Sequence, residues 1–127
     1  MTSVVLDASA LLALLLNEAG AETVKARLPG AFISGVNYAE VLTRSIDLGK
    51  RQEETIHQIG RLRLDHWPFD AEQAVIAASL REATRPRGLS LADRACLALA
   101  LSRQLPVLTA DREWQDLDVG VKIELIR

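Results

Sequence analysis

The sequence predicts an α/β protein: one domain built on a central parallel sheet of about four to five short strands, with helices on both faces. Three observations predict it. Short apolar runs such as Val4-Val5-Leu6 and Val107-Leu108 read as buried strands. Longer helical segments alternate with them, the pattern that places parallel strands side by side. Breaking and capping residues mark the joins, at Pro29-Gly30, Ser34, Gly49, Asp70 and Ser90.

The elements follow in order. Ser3 to Leu6 predicts the first strand, Ala8 to Asn17 a mostly apolar helix, and Ala21 to Leu28 a second helix. Ala31 to Ile33 is the second strand. Ser34 then caps a helix to about Leu48, closed by Gly49. Arg51 to about Leu62 is a polar helix with a narrow apolar stripe of Ile56, Ile59 and Leu62. Leu64 to Pro68 is an edge strand, because Pro68 cannot donate to a central ladder. Asp70 caps a helix from Ala71 to Ala83, and Arg85 to Gly88 is a loop. Ser90 caps Leu91 to Arg103, a helix apolar nearly all round and therefore buried. Val107 to Thr109 is a strand, Arg112 to Leu117 a short helix, and Val121 to Ile126 the last strand.

The 127 residues fit one domain, residues 1–127, with no repeat or linker. A chain of this length buries enough surface for a core without staples. Cys96 is the single cysteine, so no internal disulfide forms, and a reducing cytoplasm is the expected setting. It reads as a small buried hydrophobe. The apolar stretch Ala8 to Leu16 is too short to cross a bilayer and follows an acid, so neither secretion nor a membrane span is expected. A net charge of −2 excludes a generally basic nucleic-acid binder. The cations are nonetheless skewed, twelve Arg to three Lys, which suits bidentate phosphate contacts. Arg85, Arg87, Arg94 and Arg112 lie beside candidate acids in sequence; a solvated charged surface explains them as well.

Four acids carry the chemistry. Asp7 closes the first strand and Asp111 follows the fourth, at the carboxyl ends where α/β sheets bind ligands. Glu40 and Asp93 lie in the first turns of helices whose neighbours face the core, where a lone carboxylate needs a partner. Each acid also has a local explanation. Asp7 and Asp111 suit helix caps, Ser90 to Asp93 suits a capping box, and Glu40 suits a first helical turn. Taken together they suit a divalent cation, since gathered carboxylates repel one another without one. Oxygen donors favour Mg²⁺ or Mn²⁺. Zinc is disfavoured: His57 and His66 sit on different elements and are read as surface or core-edge residues.

The chain resembles the PIN-domain ribonucleases, and within them the VapC-type toxins of bacterial toxin–antitoxin pairs. Four segments carry the resemblance: Val4-Val5-Leu6-Asp7-Ala8-Ser9, Asn37-Tyr38-Ala39-Glu40-Val41, Leu89-Ser90-Leu91-Ala92-Asp93-Arg94-Ala95, and Pro106-Val107-Leu108-Thr109-Ala110-Asp111-Arg112-Glu113-Trp114. Each is short, but their order and spacing span nearly the whole chain. Trp114 stands where Phe is commoner. The resemblance implies an acidic pocket at one end of the sheet and Mg²⁺- or Mn²⁺-dependent cleavage of RNA, leaving 5′-phosphate and 3′-hydroxyl ends. It implies Asp7 and Asp93 as main metal ligands, with Glu40 and Asp111 completing the pocket. It places Ser9 and Thr109 as hydroxyls bonding the carboxylates, and Asp116 where some members carry a further acid. It makes Arg85, Arg87, Arg94 and Arg112 candidates for RNA phosphates. It implies two protein partners: a second copy of the chain, and a small antitoxin whose tail blocks the pocket, often with an Arg.

A phosphoacceptor receiver domain would want an acidic neighbour for Asp7 and a late Lys outside a strand, and neither is present. A haloacid-dehalogenase-like phosphatase would want Asp where Ser9 stands. The remaining alternative is a non-catalytic PIN-like scaffold that binds RNA or protein without cutting.

Overall fold

In the computed structural model, which describes residues 3–127, five strands form one all-parallel sheet in the order β3-β2-β1-β4-β5. The strands are β1 (Val5–Leu6), β2 (Phe32–Ser34), β3 (Asp65–Trp67), β4 (Val107–Thr109) and β5 (Ile123–Leu125). The helices are α1 (Ala8–Leu15), α2 (Ala21–Lys25), α3 (Gly35–Asp47), α4 (Gln52–Gly60), α5 (Ala71–Ser79), α6 (Arg81–Thr84) and α7 (Leu91–Arg103). As expected, β3 is an edge strand. It ends before Pro68, which has no N–H to donate to a ladder.

Alternation along the strands sorts the side chains between two cores. Val4, Leu6, Ile33 and Leu108 pack with Ala10, Leu11 and Ala13 of α1, Val24 of α2, Val41 of α3 and Ile59 of α4. Val5 and Val107 point the other way, into a cluster with Leu80, Cys96, Leu97, Leu99 and Trp114. A period of two in side-chain direction thus lets one short strand serve both layers. The helix α7 is buried from Ala95 to Ala100, as its all-round apolar surface predicts.

Several boundaries differ from the sequence expectation. The predicted 71–83 helix breaks at Leu80 into α5 and α6, and the predicted loop at Arg85–Arg87 is a 3-10 turn ended by Gly88 in the left-handed region. The predicted helix from Arg112 is a single 3-10 turn ending at Trp114. Gln115 is extended and Asp116 takes a positive φ of 61°, so the helix cannot propagate. Gly20 enters α2 at φ 94°, and a Cβ there would stand 2.7 Å from Ile126, so only glycine fits. His57 and His66 are both exposed, as expected.

Strand order decides where a site can form. The chain winds outward from β1 through β2 to β3, then returns to the opposite side of β1 for β4 and β5. The reversal falls between β1 and β4, and their carboxyl ends open there.

Candidate functional site

Asp7 stands at that reversal, immediately after β1, and is 4 % exposed. Four groups hold it. The backbone N–H of Ala10 donates to Oδ1 at 2.8 Å, which caps α1. The Ser9 hydroxyl donates to the same oxygen at 2.7 Å, and Thr109 Oγ1 donates to Oδ2 at 2.6 Å. The Asp7 N–H donates to the carbonyl of Leu108 at 3.2 Å, binding the end of β1 to β4. The two hydroxyls lie 3.3 Å apart and are held in turn: Ala110 N–H donates to Ser9 Oγ at 2.9 Å, and Asp111 N–H to Thr109 Oγ1 at 3.0 Å. Burial pushes the Asp7 carboxyl up from 3.8 to about 6, against the pull of the three donors, and the negative charge of Asp93 adds to the rise.

Glu40 arrives from α3. Its Oε1 accepts from Asn37 Nδ2 at 2.9 Å. Burial raises its carboxyl above the usual range, Asn37 opposes the rise, and Asp93 adds to it. Asp93 arrives from the first turn of α7. Its Oδ2 accepts from the Ser90 N–H at 2.9 Å while the Ser90 hydroxyl accepts from its N–H at 3.1 Å, a complete capping box. The fully buried Cys96 thiol, one turn further along α7, is pushed well above its ordinary value by burial, and Asp7, Asp93 and Glu40 all add to that shift. Asp93 is thus close enough for its charge to act on both Asp7 and Glu40, and the charges of all three reach the Cys96 thiol.

Asp111 stands apart. It is exposed, and its Oδ1 caps the following 3-10 turn by accepting from Glu113 N–H at 2.9 Å. It meets Asp7 through its backbone, by way of Thr109, and not through its carboxylate. Asp7 and Asp93 also cap their helices, so each cap carries a charge that acts on the other's surroundings. Among the described residues no three His, Cys, Asp or Glu side chains form a ready-made cation cage. The acids share a field rather than a finished coordination sphere.

The four arginines divide. Arg87 holds the 112–116 turn, donating from Nη1 to the carbonyls of Glu113 at 3.0 Å and of Gln115, and from Nη2 to that of Asp116 at 3.4 Å. Arg94 Nη1 donates to the Ala77 carbonyl at 2.9 Å and so ties α7 to α5, while its Nε is buried with no partner among the described residues. Arg112 Nη1 donates to the Arg127 carbonyl at 3.0 Å. Arg85 is exposed beside Pro86. Asp116 lies exposed in its left-handed turn. A cavity of about 650 Å³ lies at the opposite end of the sheet, lined by Arg27, Leu105, Pro106, Lys122 and Glu124, and it contains none of the four acids.

One residue beside Glu40 was not predicted to act there. Asn37 is buried and links Glu40 to the Ala92 carbonyl, 3.0 Å from its Nδ2. Its signal was its place three residues before Glu40, on the same side of one helix.

The sequence profile of the PIN domain matches residues 4–120. The chain belongs to the PIN-domain family. No individually curated protein matches it in sequence. The PIN fold is seen again in solved structures. A toxin–antitoxin complex from Klebsiella pneumoniae has a TM-score of 0.78 at 19% identity over 98% of each chain. DNA-bound VapBC from Salmonella typhimurium has a TM-score of 0.74 at 20% identity over 100% of each. VapC20 of Mycobacterium tuberculosis, a toxin that cleaves the sarcin–ricin loop, has a TM-score of 0.70 at 17% identity, covering 94% of this chain and 98% of that one. At these identities the likeness is one of fold. No helix among the described residues is long and apolar enough to cross a membrane.

Proposed function

We propose that this PIN domain is a divalent-metal-dependent endoribonuclease, the toxin of a bacterial toxin–antitoxin pair, acting in the cytoplasm. The observation that carries the reading is Asp7, buried at the strand-order reversal with both carboxylate oxygens held and under the negative charge of Asp93, which also acts on Glu40. Such a site is costly without a counter-charge, and its oxygen-only donors suit Mg²⁺ or Mn²⁺. Asp7 and Asp93 would hold the ion with Glu40 beside them, while Asp111, whose carboxylate caps its own 3-10 turn, would join them only by turning inward. When bound, it supplies an activated water at neutral pH and offsets charge on the scissile phosphate.

The chain's own groups do the rest. Ser9 and Thr109 lock both oxygens of Asp7, so its carboxylate is pre-oriented rather than free to rotate. Glu40, whose carboxyl burial raises above the usual range, would take a proton as the phosphodiester is attacked. Arg85 is the candidate cation best able to reach an RNA phosphate, since Arg87, Arg94 and Arg112 are each engaged with backbone carbonyls. A net-negative site at a sheet end also suits an Arg from a small antitoxin, a partner that the structurally similar toxin–antitoxin complexes favour, and a second copy of the chain is the other partner proposed.

The test is direct. Purified protein is incubated with 5′-labelled RNA and Mn²⁺, with and without EDTA. Discrete cleavage fragments that EDTA abolishes support the reading. Intact RNA at all metal concentrations, or cleavage that EDTA leaves unchanged, overturns it in favour of a binding scaffold.

A further inference from the structure

We propose that Asn37 is a positioning residue for the cation site: its amide fixes how Glu40 is presented by tying that carboxylate to the first turn of α7. The inference rests on the function proposed above. Asn37 is 1 % exposed, and its Nδ2 donates to two acceptors, Glu40 Oε1 at 2.9 Å and the Ala92 carbonyl at 3.0 Å. Two acceptors on one atom can be served only by the NH₂ end, so the amide lies one way round. Ala92 directly precedes Asp93, whose carboxylate the capping box holds. One side chain therefore joins α3 to α7 at the level of the two acids they carry. The second Glu40 oxygen accepts no hydrogen bond from the described residues.

The bridge has a cost that packing alone would not explain. Asn37 Oδ1 is buried with no donor among the described residues. An unmade hydrogen bond in the interior disfavours the polar side chain, and an apolar residue of similar size would avoid it. The benefit lies on the Nδ2 side, where the donor restrains a glutamate that would otherwise turn away from the charge of Asp93. Groups that orient a metal ligand in this way commonly change metal affinity tenfold to a hundredfold when removed.

The experiment measures Mn²⁺ affinity of the full chain without RNA, by paramagnetic resonance of the free ion, alongside thermal melting. Wild type, Asn37→Ala, Glu40→Gln and the double variant are compared. Asn37→Ala is expected to weaken Mn²⁺ binding about tenfold or more. In the Glu40→Gln background the same change should have no further effect, because Asn37 acts through Glu40. Asn37→Ser retains one donor, should fall between Asn37→Ala and wild type, and keeps the test readable if the alanine variant does not fold. Wild-type affinity in the alanine or serine variant, with only a lowered melting temperature, overturns the proposal, as does an undiminished effect on top of Glu40→Gln. A wild-type chain that binds no Mn²⁺ overturns the metal reading itself, and this inference with it.

Discussion

Thr109 Oγ1 donates to Asp7 Oδ2 at 2.6 Å across 102 residues of chain. The bond joins the carboxyl ends of β1 and β4 where strand order reverses, and Thr109 is wholly buried. The same hydroxyl accepts the Asp111 N–H, so one side chain orders both the buried acid and the start of the segment after β4. Thr109→Val keeps the shape and removes both bonds. It should cost roughly 1–3 kcal/mol by urea unfolding. It should also raise the Asp7 pKa further, because the lost donor favoured the ionised form. Unchanged stability would show that the hydroxyl is not the clamp described.

The Asp7 carboxyl gives the metal-free protein a defined pH dependence. Its folded pKa is raised from 3.8 to about 6, so the folded state holds the proton more tightly than the unfolded one. Its stabilising contribution is complete below about pH 3.8 and is lost as pH rises through about 6. The full loss is about 3 kcal/mol in order of magnitude, and about 1 kcal/mol of it falls between pH 5 and pH 7. Wild type should therefore gain about 1 kcal/mol relative to Asp7→Asn when EDTA-treated samples are moved from pH 7 to pH 5. A stability difference independent of pH would refute the buried, charge-coupled placement.

Asp7→Asn also separates capping from chemistry. Asparagine keeps an oxygen for the Ala10 N–H and presents an NH₂ to a hydroxyl that can accept. The metal-free variant should melt at or above the wild-type temperature at pH 7, yet lose RNA cleavage and the rise in melting temperature that Mn²⁺ produces. A variant that unfolds would mean that capping is the main task of Asp7.

The arginines should divide as their contacts do. Arg87→Ala removes the three bonds to the 112–116 turn and should destabilise the fold by about 1–2 kcal/mol. Arg85→Ala should leave stability within about 0.5 kcal/mol. It should weaken RNA binding and reduce the salt dependence of that binding. Filter binding at several salt concentrations checks the second claim, and equal salt slopes for wild type and Arg85→Ala would remove Arg85 from the interface.

Much of this was legible in the residues. Val4 to Leu6 and Val107-Leu108 are unbroken apolar runs, which mark strands covered on both faces, and the two cores they serve bear this out. The all-apolar run in α7 announced its burial. Helix boundaries were less legible at the C-terminal side of α5 and after Asp111. There the backbone angles of Leu80 and Asp116 are set by how the segments dock, not by local propensity.

What the sequence by itself determined is the α/β alternation, the edge position of the strand before Pro68 and the four candidate acids, because periodicity, proline chemistry and residue type are local. Only the tertiary structure decided that the charge of Asp93 acts on both Asp7 and Glu40 while the Asp111 carboxylate turns to its own backbone. It also decided that Arg87, Arg94 and Arg112 hold carbonyls, and that Asn37 bridges two helices. A carboxylate at a helix start can cap, converge or do both. Which of these it does depends on distances set by strand order and helix docking between residues far apart in the chain.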